Sequence, residues 1–265
     1  MQNTTLAFIT ITSDYGNNSP YSAAVKGAIY TQLPSAQIVD ISNMVTPYNV
    51  LQAAYLLKQV VWHYPLRSVH LICIDTNFAS NGQYIIAESD GQYFIGADNG
   101  IFSLLFEKTP ATFYAIKNEF IHENDLFPEK NLFAFMAIQL INGLPVTNFA
   151  DKGEIKNIKQ SLMPVIDDSQ IRGNIVFVDG FDNAITNISK TVFEEKLATK
   201  STFKIFFSRK LAIDYISLNY NDAKKGSELA LFNESGFLEI AMNAGNAGQL
   251  LGLKTGAPIN IEFYD

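Results

Sequence analysis

A chain of 265 residues, 48% of them hydrophobic, can bury the cores of two ordinary domains, which excludes a disordered segment. The net charge of −7 and a pI near 5.0 lack the basic footprint of a phosphate-backbone binder, and the longest apolar runs, such as 68–74, are strand-sized, far short of the roughly 18 to 20 residues of a membrane span. Neither nucleic acid nor a membrane is expected as a partner. With no basic-then-apolar leader in residues 1–5, and one cysteine, Cys73, inside an apolar run, the expected location is cytoplasmic and the thiol is expected to be buried and structural.

Residues 6–12 are almost continuously apolar and β-branched, which predicts a strand covered on both faces that runs out into Ser13-Asp14-Tyr15-Gly16. Ser19-Pro20 predicts an N-cap and first helical position for a helix reaching Leu33 and stopped at Pro34. Residues 37–41 read as a second strand. Residues 49–64 read as a helix whose Val50, Ala54, Leu57, Val61 and Tyr64 share one face before Pro65 ends it. A third strand over 69–75 again ends in an aspartate, Asp75. Strand and helix in alternation predict a mostly parallel sheet whose ligands gather beyond the carboxyl ends of its strands.

Strands over 83–89 and 92–97 flank Asp90-Gly91, a dipeptide suited to a type I′ hairpin, so the sheet is expected to be mixed. Residues 129–142 predict a helix closed by Gly143, and the polar, helix-poor stretch 144–160 reads as linker. Short strands then follow at 173–178, 184–188, 203–207, 228–232, 237–241 and 258–263, the pattern of a compact sandwich or barrel. The expected fold is an α/β N-terminal domain (1–155), with a mostly parallel mixed sheet flanked by helices, and a smaller C-terminal all-β barrel-like domain (165–265) after a linker (156–164).

The motifs that usually announce phosphate, metal or thiol chemistry are missing: no GxGxxG after a strand, P-loop, HExxH, CxxC or GxSxG. No metal and no cofactor are therefore expected. What remains are acidic and amide residues beside glycines and aromatics, at 13–16, 75–77, 98–100, 122–127, 179–187 and 233–239, each of which alone is ordinary turn material. His63 at a helix end and His70 in a strand read as structural, whereas His122 sits in a polar loop.

Taken in order, the strings SDYG…PYSAAVKGAI, IVDIS, ADNGIFS, VDGFDNAITNI and NESGFLEIAMNAGNA resemble the S-adenosyl-L-methionine hydroxide adenosyltransferases, relatives of the fluorinases and chlorinases, over both domains. The resemblance implies substitution at the ribose C5′ of S-adenosylmethionine by water, giving adenosine and methionine. Asp75 matches the aspartate of the family's VVDPGVG string, and His122 the histidine of its FHGRDVF string, two of the groups that surround the attacking water. Asp14 would accept hydrogen bonds from the ribose diol. Tyr15, Asp98 and Asn99 fall within matching strings and, with Thr76 beside Asp75, are expected near the ligand. Asp179 and Asn183 would hold the methionine end, Phe181 would stack on adenine, and Asn233, Glu234 and Ser235 would contact its edge. The resemblance further implies a homotrimer with each ligand between one subunit's N-terminal domain and its neighbour's β domain.

The chain departs from the family after Asp75, and again where the family's Asn-Ser pair is here Asn233-Glu234. Where the family reads DPGVGTxRR, residues 75–83 read DTNFASNGQ, and the place of the water-activating arginine, seven residues after Asp75, is Gly82. Losing one preorganised charge typically costs on the order of 10² to 10³ in rate, so a binder of adenosyl ligands without turnover is the alternative expectation. A halide as nucleophile is disfavoured, because the Asp75 carboxylate would repel an anion.

Overall fold

The computed structural model describes residues 7–76, 82–122, 124–207 and 211–265. The start of the first predicted strand, Asn77, Glu123 and Arg209 lie outside the described residues. The chain forms two compact units, 1–160 and 161–265.

The first unit holds β1 (Phe8–Ser13), α1 (Tyr21–Gln32), β2 (Gln37–Ser42), α2 (Val50–Val60), β3 (Val69–Cys73), β4 (Tyr84–Ser89), β5 (Gln92–Ala97), α3 (Ile101–Leu105), β6 (Thr112–Ile116), α4 (Ala134–Ile141) and β7 (Ala150–Lys152). Its sheet runs β2-β1-β3-β5-β4-β6-β7, parallel from β2 through β5 and antiparallel beyond. Alternation along β3 explains the three layers. Leu71 and Cys73 enter one core with Val25 and Ile29 of α1 and Met136 and Leu140 of α4; Ile72 joins a second core with Ala53, Ala54 and Leu57 of α2.

This order places a switch in direction at β1: the chain leaves β1 for β2 on one side and returns to β3 on the other. The carboxyl ends of β1 and β3 thus lie side by side at a topological switch point, whose crevice is the place where open α/β sheets bind ligands. Parallel register sets Ser13 opposite Cys73, and the Asp14 amide donates to the Cys73 carbonyl at 3.4 Å, so both loops start level.

Several predicted boundaries shift for local reasons. Pro20 is the cap itself rather than the first helical residue, with no side-chain capping bond, because the Ser19 hydroxyl donates back to the Gly16 carbonyl. The second helix ends at Val60 and tightens into a 3₁₀ turn, Val61–His63, since Tyr64 before Pro65 is driven extended (ψ 149°). The third strand ends at Cys73, not Asp75: Asp75 takes a left-handed φ of 45°, and Asn99 Nδ2 donates to the carbonyls of Ile74 and Asp75. The helix predicted from Glu129 opens as a π-helical turn, Glu129–Phe133, before α4.

The stretch 144–160 is not a free linker. Val146–Asn148 forms a 3₁₀ turn and β7 joins the sheet edge against β6. The amides of Lys156 and Asn157 donate to the Asp98 carboxylate, and that of Lys159 to the Ser103 hydroxyl. The chain is tied to the first unit by polar bonds, which leave no hydrophobic period in the sequence.

The second unit contains β8 (Val165–Ile166), β9 (Gln170–Val178), β10 (Ala184–Ser189), α5 (Lys190–Leu197), β11 (Thr202–Phe206), β12 (Ala212–Ile213), β13 (Glu228–Phe232), β14 (Phe237–Met242), α6 (Ala247–Leu251) and β15 (Pro258–Tyr264). Its antiparallel sheet runs β12-β11-β15-β9-β10-β14-β13, with β8 on β9. The two ends approach one another: the Ser217 amide, just after β12, donates to the Ala230 carbonyl of β13 at 2.7 Å. The predicted barrel-like sheet is thus nearly closed around Ile171, Ile205, Leu238, Ile240 and Ile261.

Candidate active site

At the head of the first unit, Asp14 follows β1 directly. One carboxylate oxygen, Oδ2, accepts the Tyr48 amide at 2.9 Å; Oδ1 has no partner among the described residues. Asp75 is held by its backbone through Asn99, while its own carboxylate likewise makes no hydrogen bond among the described residues. Asn99 is in turn fixed by the Ile101 amide (3.1 Å), so it orients the Asp75 loop. Asp98 behaves differently: it is buried, and its carboxylate accepts Gln83 Nε2 and the amides of Lys156 and Asn157. Asp98 fastens the strap after β7 to the end of β5.

Between the Asp14 and Asp75 loops lies a residue that the sequence reading used only as a helix start. Glu129 is 5% exposed, and its Oε1 accepts the hydroxyl of Thr76, itself 8% exposed. The π-helical turn carries it there, a local widening of the helix often found at functional sites. Burial pushes the Glu129 carboxyl above its ordinary value, with the charge of Asp14 adding to the rise, while the bonds from Thr76 and the backbone oppose it. The Tyr15 hydroxyl is buried beside Cys73 and Glu129 yet lacks a partner within hydrogen-bond limits, and burial with those two neighbours raises its pKa. Tyr15, Tyr21 and Phe127 pack edge-on or tilted with centroids 5.4 to 6.1 Å apart, walling the cluster on one side.

His122 is exposed and opens onto a cavity of about 660 Å³ bordered by Glu119, Asn124, Asp125 and Asn131. Its ring makes no hydrogen bond among the described residues. Asp125, on the same loop, has its Oδ1 engaged by the Phe127 amide (2.9 Å) and Asn131 Nδ2 (2.6 Å). Among the described residues nothing joins His122 to Asp75. Arg67 sits at the far end of β3, its amide bonded to the Gly91 carbonyl and its guanidinium to that of Ile141, and Arg172 of β9 pairs with Asp167.

In the second unit, Asp179 organises the loop after β9. Its Oδ1 accepts the amides of Phe181 (2.9 Å) and Asn183 (2.8 Å), and Oδ2 accepts Asn183 Nδ2. Phe181 is thereby held on a fixed loop with 80% of its surface exposed, an open aromatic face. Asp182, at φ 68°, accepts the Gln249 amide and joins this loop to α6. Asn233 folds the β13–β14 turn by accepting the amides of Ser235 and Phe237, and leaves Glu234 and Ser235 exposed. Its Nδ2 donates to Glu239, a buried carboxyl that also accepts the Tyr220 hydroxyl at 2.8 Å. Burial raises the Glu239 carboxyl and the charge of Asp179 adds to the rise, against the bonds from Tyr220 and Asn233. Tyr220 carried no signal in the sequence beyond being one tyrosine in a turn.

Fold and site together define a two-unit protein, an α/β unit with carboxylates gathered at its switch point and a curled β unit bearing an exposed aromatic above a polar loop cluster. Family models for the SAM hydroxide adenosyltransferase N-terminal domain and C-terminal domain match residues 9–150 and 173–260, and the chain belongs to this family. It is 28% identical to the (R)-S-adenosyl-L-methionine hydrolase of Methanocaldococcus jannaschii, covering 100% of this chain and 96% of that protein. It is 24% identical to the protein of the same name from Thermus thermophilus, over 94% and 97%. The crystal structure of an uncharacterized conserved protein from Thermotoga maritima superposes with a TM-score of 0.84 at 29% identity, covering 96% of this chain and 99% of that one.

Proposed function

We propose that the protein is an S-adenosyl-L-methionine hydrolase in which water attacks the ribose C5′ and methionine departs, giving adenosine and L-methionine. The observation that carries this reading is the contrast among its aspartates: the structural Asp98 is filled by backbone donors, whereas Asp14 and Asp75, at the two strand ends flanking the switch point, keep carboxylate oxygens uncommitted. The chemistry suits such a site. A sulfonium leaves as a neutral thioether and needs no acid, so the demand falls on holding and deprotonating the water.

In this reading Asp14 accepts the ribose hydroxyls and Asp75 receives the water's proton. His122, its ring unengaged, is the second group held against that water. Asp179 and Asn183 hold the methionine end, Phe181 stacks on adenine, and Asn233 with Glu234 and Ser235 meets the adenine edge. S-adenosylmethionine is the substrate, and no step is assigned to a cofactor or a metal. The same reading makes the protein a cytoplasmic homotrimer, each ligand shared by the α/β unit of one subunit and the β unit of its neighbour; the family resemblance supports it.

The absent arginine favours a second reading, a protein that binds the adenosyl ligand without turning it over. Product analysis separates the two. Purified protein given S-adenosylmethionine, with each sulfonium epimer supplied separately because the relatives' names specify (R), is expected to release equal amounts of adenosine and methionine, and His122→Ala to release less. Calorimetric binding without adenosine would establish the second reading; neither binding nor product would overturn both.

A further inference from the structure

We propose that Glu129 is a positioning residue for this hydrolysis: by accepting a hydrogen bond from the Thr76 hydroxyl it turns a Thr76 lone pair to the crevice, where it receives one O–H of the attacking water. The inference rests on the hydrolase reading and adds to it. Three observations meet here. Thr76 immediately follows Asp75, in the stretch where the chain departs from the family's DPGVG string. A carboxyl buried in the first unit contacts that hydroxyl from a π-helical turn, a widened backbone that reaches the switch point. The buried Tyr15 hydroxyl lies at the same place, beside Glu129 and Cys73.

A threonine hydroxyl has one proton and two lone pairs, and its rotor is free until an acceptor fixes it. With its hydrogen bond given to Glu129, Thr76 Oγ1 can only accept from other groups. Water then donates one O–H to Thr76 and the other to the Asp75 carboxylate, leaving an oxygen lone pair for C5′. The C5′–O bond forms, the C5′–S bond breaks with its pair going to sulfur, and the proton lost by water ends on Asp75. Geometry of this kind offsets part of what a positioned charge supplies elsewhere.

The Glu129 carboxylate secures this direction of the bond, because it has no proton to donate. The groups facing it are Asp14 and Tyr15 after β1, Cys73 and Thr76 at the end of β3, and Tyr84 of β4, none of them cationic, and burial holds the carboxyl above its ordinary value. As pH falls through that raised value the carboxyl gains a proton and can donate to Thr76, reversing the rotor. Wild-type kcat is therefore expected to show an acid limb above the ordinary carboxylate range.

The test compares Glu129→Leu, Glu129→Gln, Thr76→Val and Thr76→Ser by adenosine release across pH. An orienting partner is worth less than a direct donor, so Glu129→Leu and Thr76→Val are expected to lower kcat about 10-fold to 100-fold with KM little moved. Their double variant should lose no more than the worse single one. Glu129→Gln, which keeps an acceptor oxygen, loses less than Glu129→Leu and lacks the raised acid limb; Thr76→Ser restores the rate. Should Glu129→Leu fail to fold, Thr76→Val and Glu129→Gln carry the test. Thr76→Val with wild-type kcat, or Glu129→Gln retaining the limb, overturns the proposal while the hydrolase reading stands. No adenosine from the wild type removes both.

Discussion

Buried side chains of the first unit divide into those whose polar atoms are all satisfied and those whose polar atoms are not. His70 belongs to the first kind. Its Nδ1 is 2.8 Å from the Thr10 hydroxyl, its Nε2 is 2.6 Å from Gln92 Oε1, and its ring stacks on Phe94 with centroids 4.6 Å apart. These partners suit a neutral ring, donating from Nε2 and accepting at Nδ1. Burial lowers its pKa from 6.5 to about 4 against the smaller, opposing effect of Gln92. Between those values the unfolded chain binds a proton that the folded one refuses, so stability is lost as pH falls from about 6.5 to 4 and is complete above 6.5. At ~1.4 kcal/mol per unit the loss approaches about 3 kcal/mol. Urea unfolding at pH 7 and pH 4 is expected to show this difference between wild type and His70→Gln, in which the acidic groups common to both cancel. An identical pH dependence in the two proteins would remove His70 from the account. Cys73 is also a structural group, fully buried, its thiol pushed well above its ordinary pKa first by burial and then by the charge of Glu129.

Among elements, the β4–β5 hairpin was written most plainly. Asp90 and Gly91 adopt φ of 47° and 68°, the two left-handed positions of a type I′ turn. A Cβ on Gly91 would meet Leu66 Cδ2 at 3.1 Å, and Leu66 is exposed and can move, so the cost of Gly91→Ala is mainly backbone strain. The expected loss is about 1–2 kcal/mol, read as a lowered denaturant midpoint with unchanged slope; an unmoved midpoint would show that the turn relaxes freely. Elements with such a signature, the buried strands and the apolar face of α2, were legible because a period or a turn dipeptide betrays them. β7 and the strap after it were not: Ala150–Lys152 pairs on one edge only, and residues 156–159 are held by bonds to the Asp98 and Ser103 side chains. The site divides the same way. Asp14 and Asp75 follow strands and could be placed by topology, whereas Glu129 reads as a helix start until the fold sets it against Thr76, and Tyr220 has no local pattern tying it to Glu239.

At the scale of the molecule, the proposed site needs groups from both units, and the trimer reading assigns them to different subunits. That assignment has a consequence which a site within one subunit lacks. Asp14→Ala removes the proposed ribose acceptor from the first unit, and Asp179→Ala removes the organiser of the loop bearing Phe181 and Asn183 from the second. Each variant alone is expected to lose adenosine release. Unfolded together and refolded as an equal mixture, subunits associate at random, and a site pairing an intact first unit with a neighbour's intact second unit recurs in roughly a quarter of the interfaces of a cyclic trimer. Activity is expected to return to about that fraction of a wild-type control treated the same way, with a mass near three chains by light scattering. If sites lie within single subunits, every subunit of the mixture carries one defect and nothing returns. Recovery without a trimeric mass would instead point to another closed ring, since any cyclic assembly whose sites draw on neighbours complements in the same proportion.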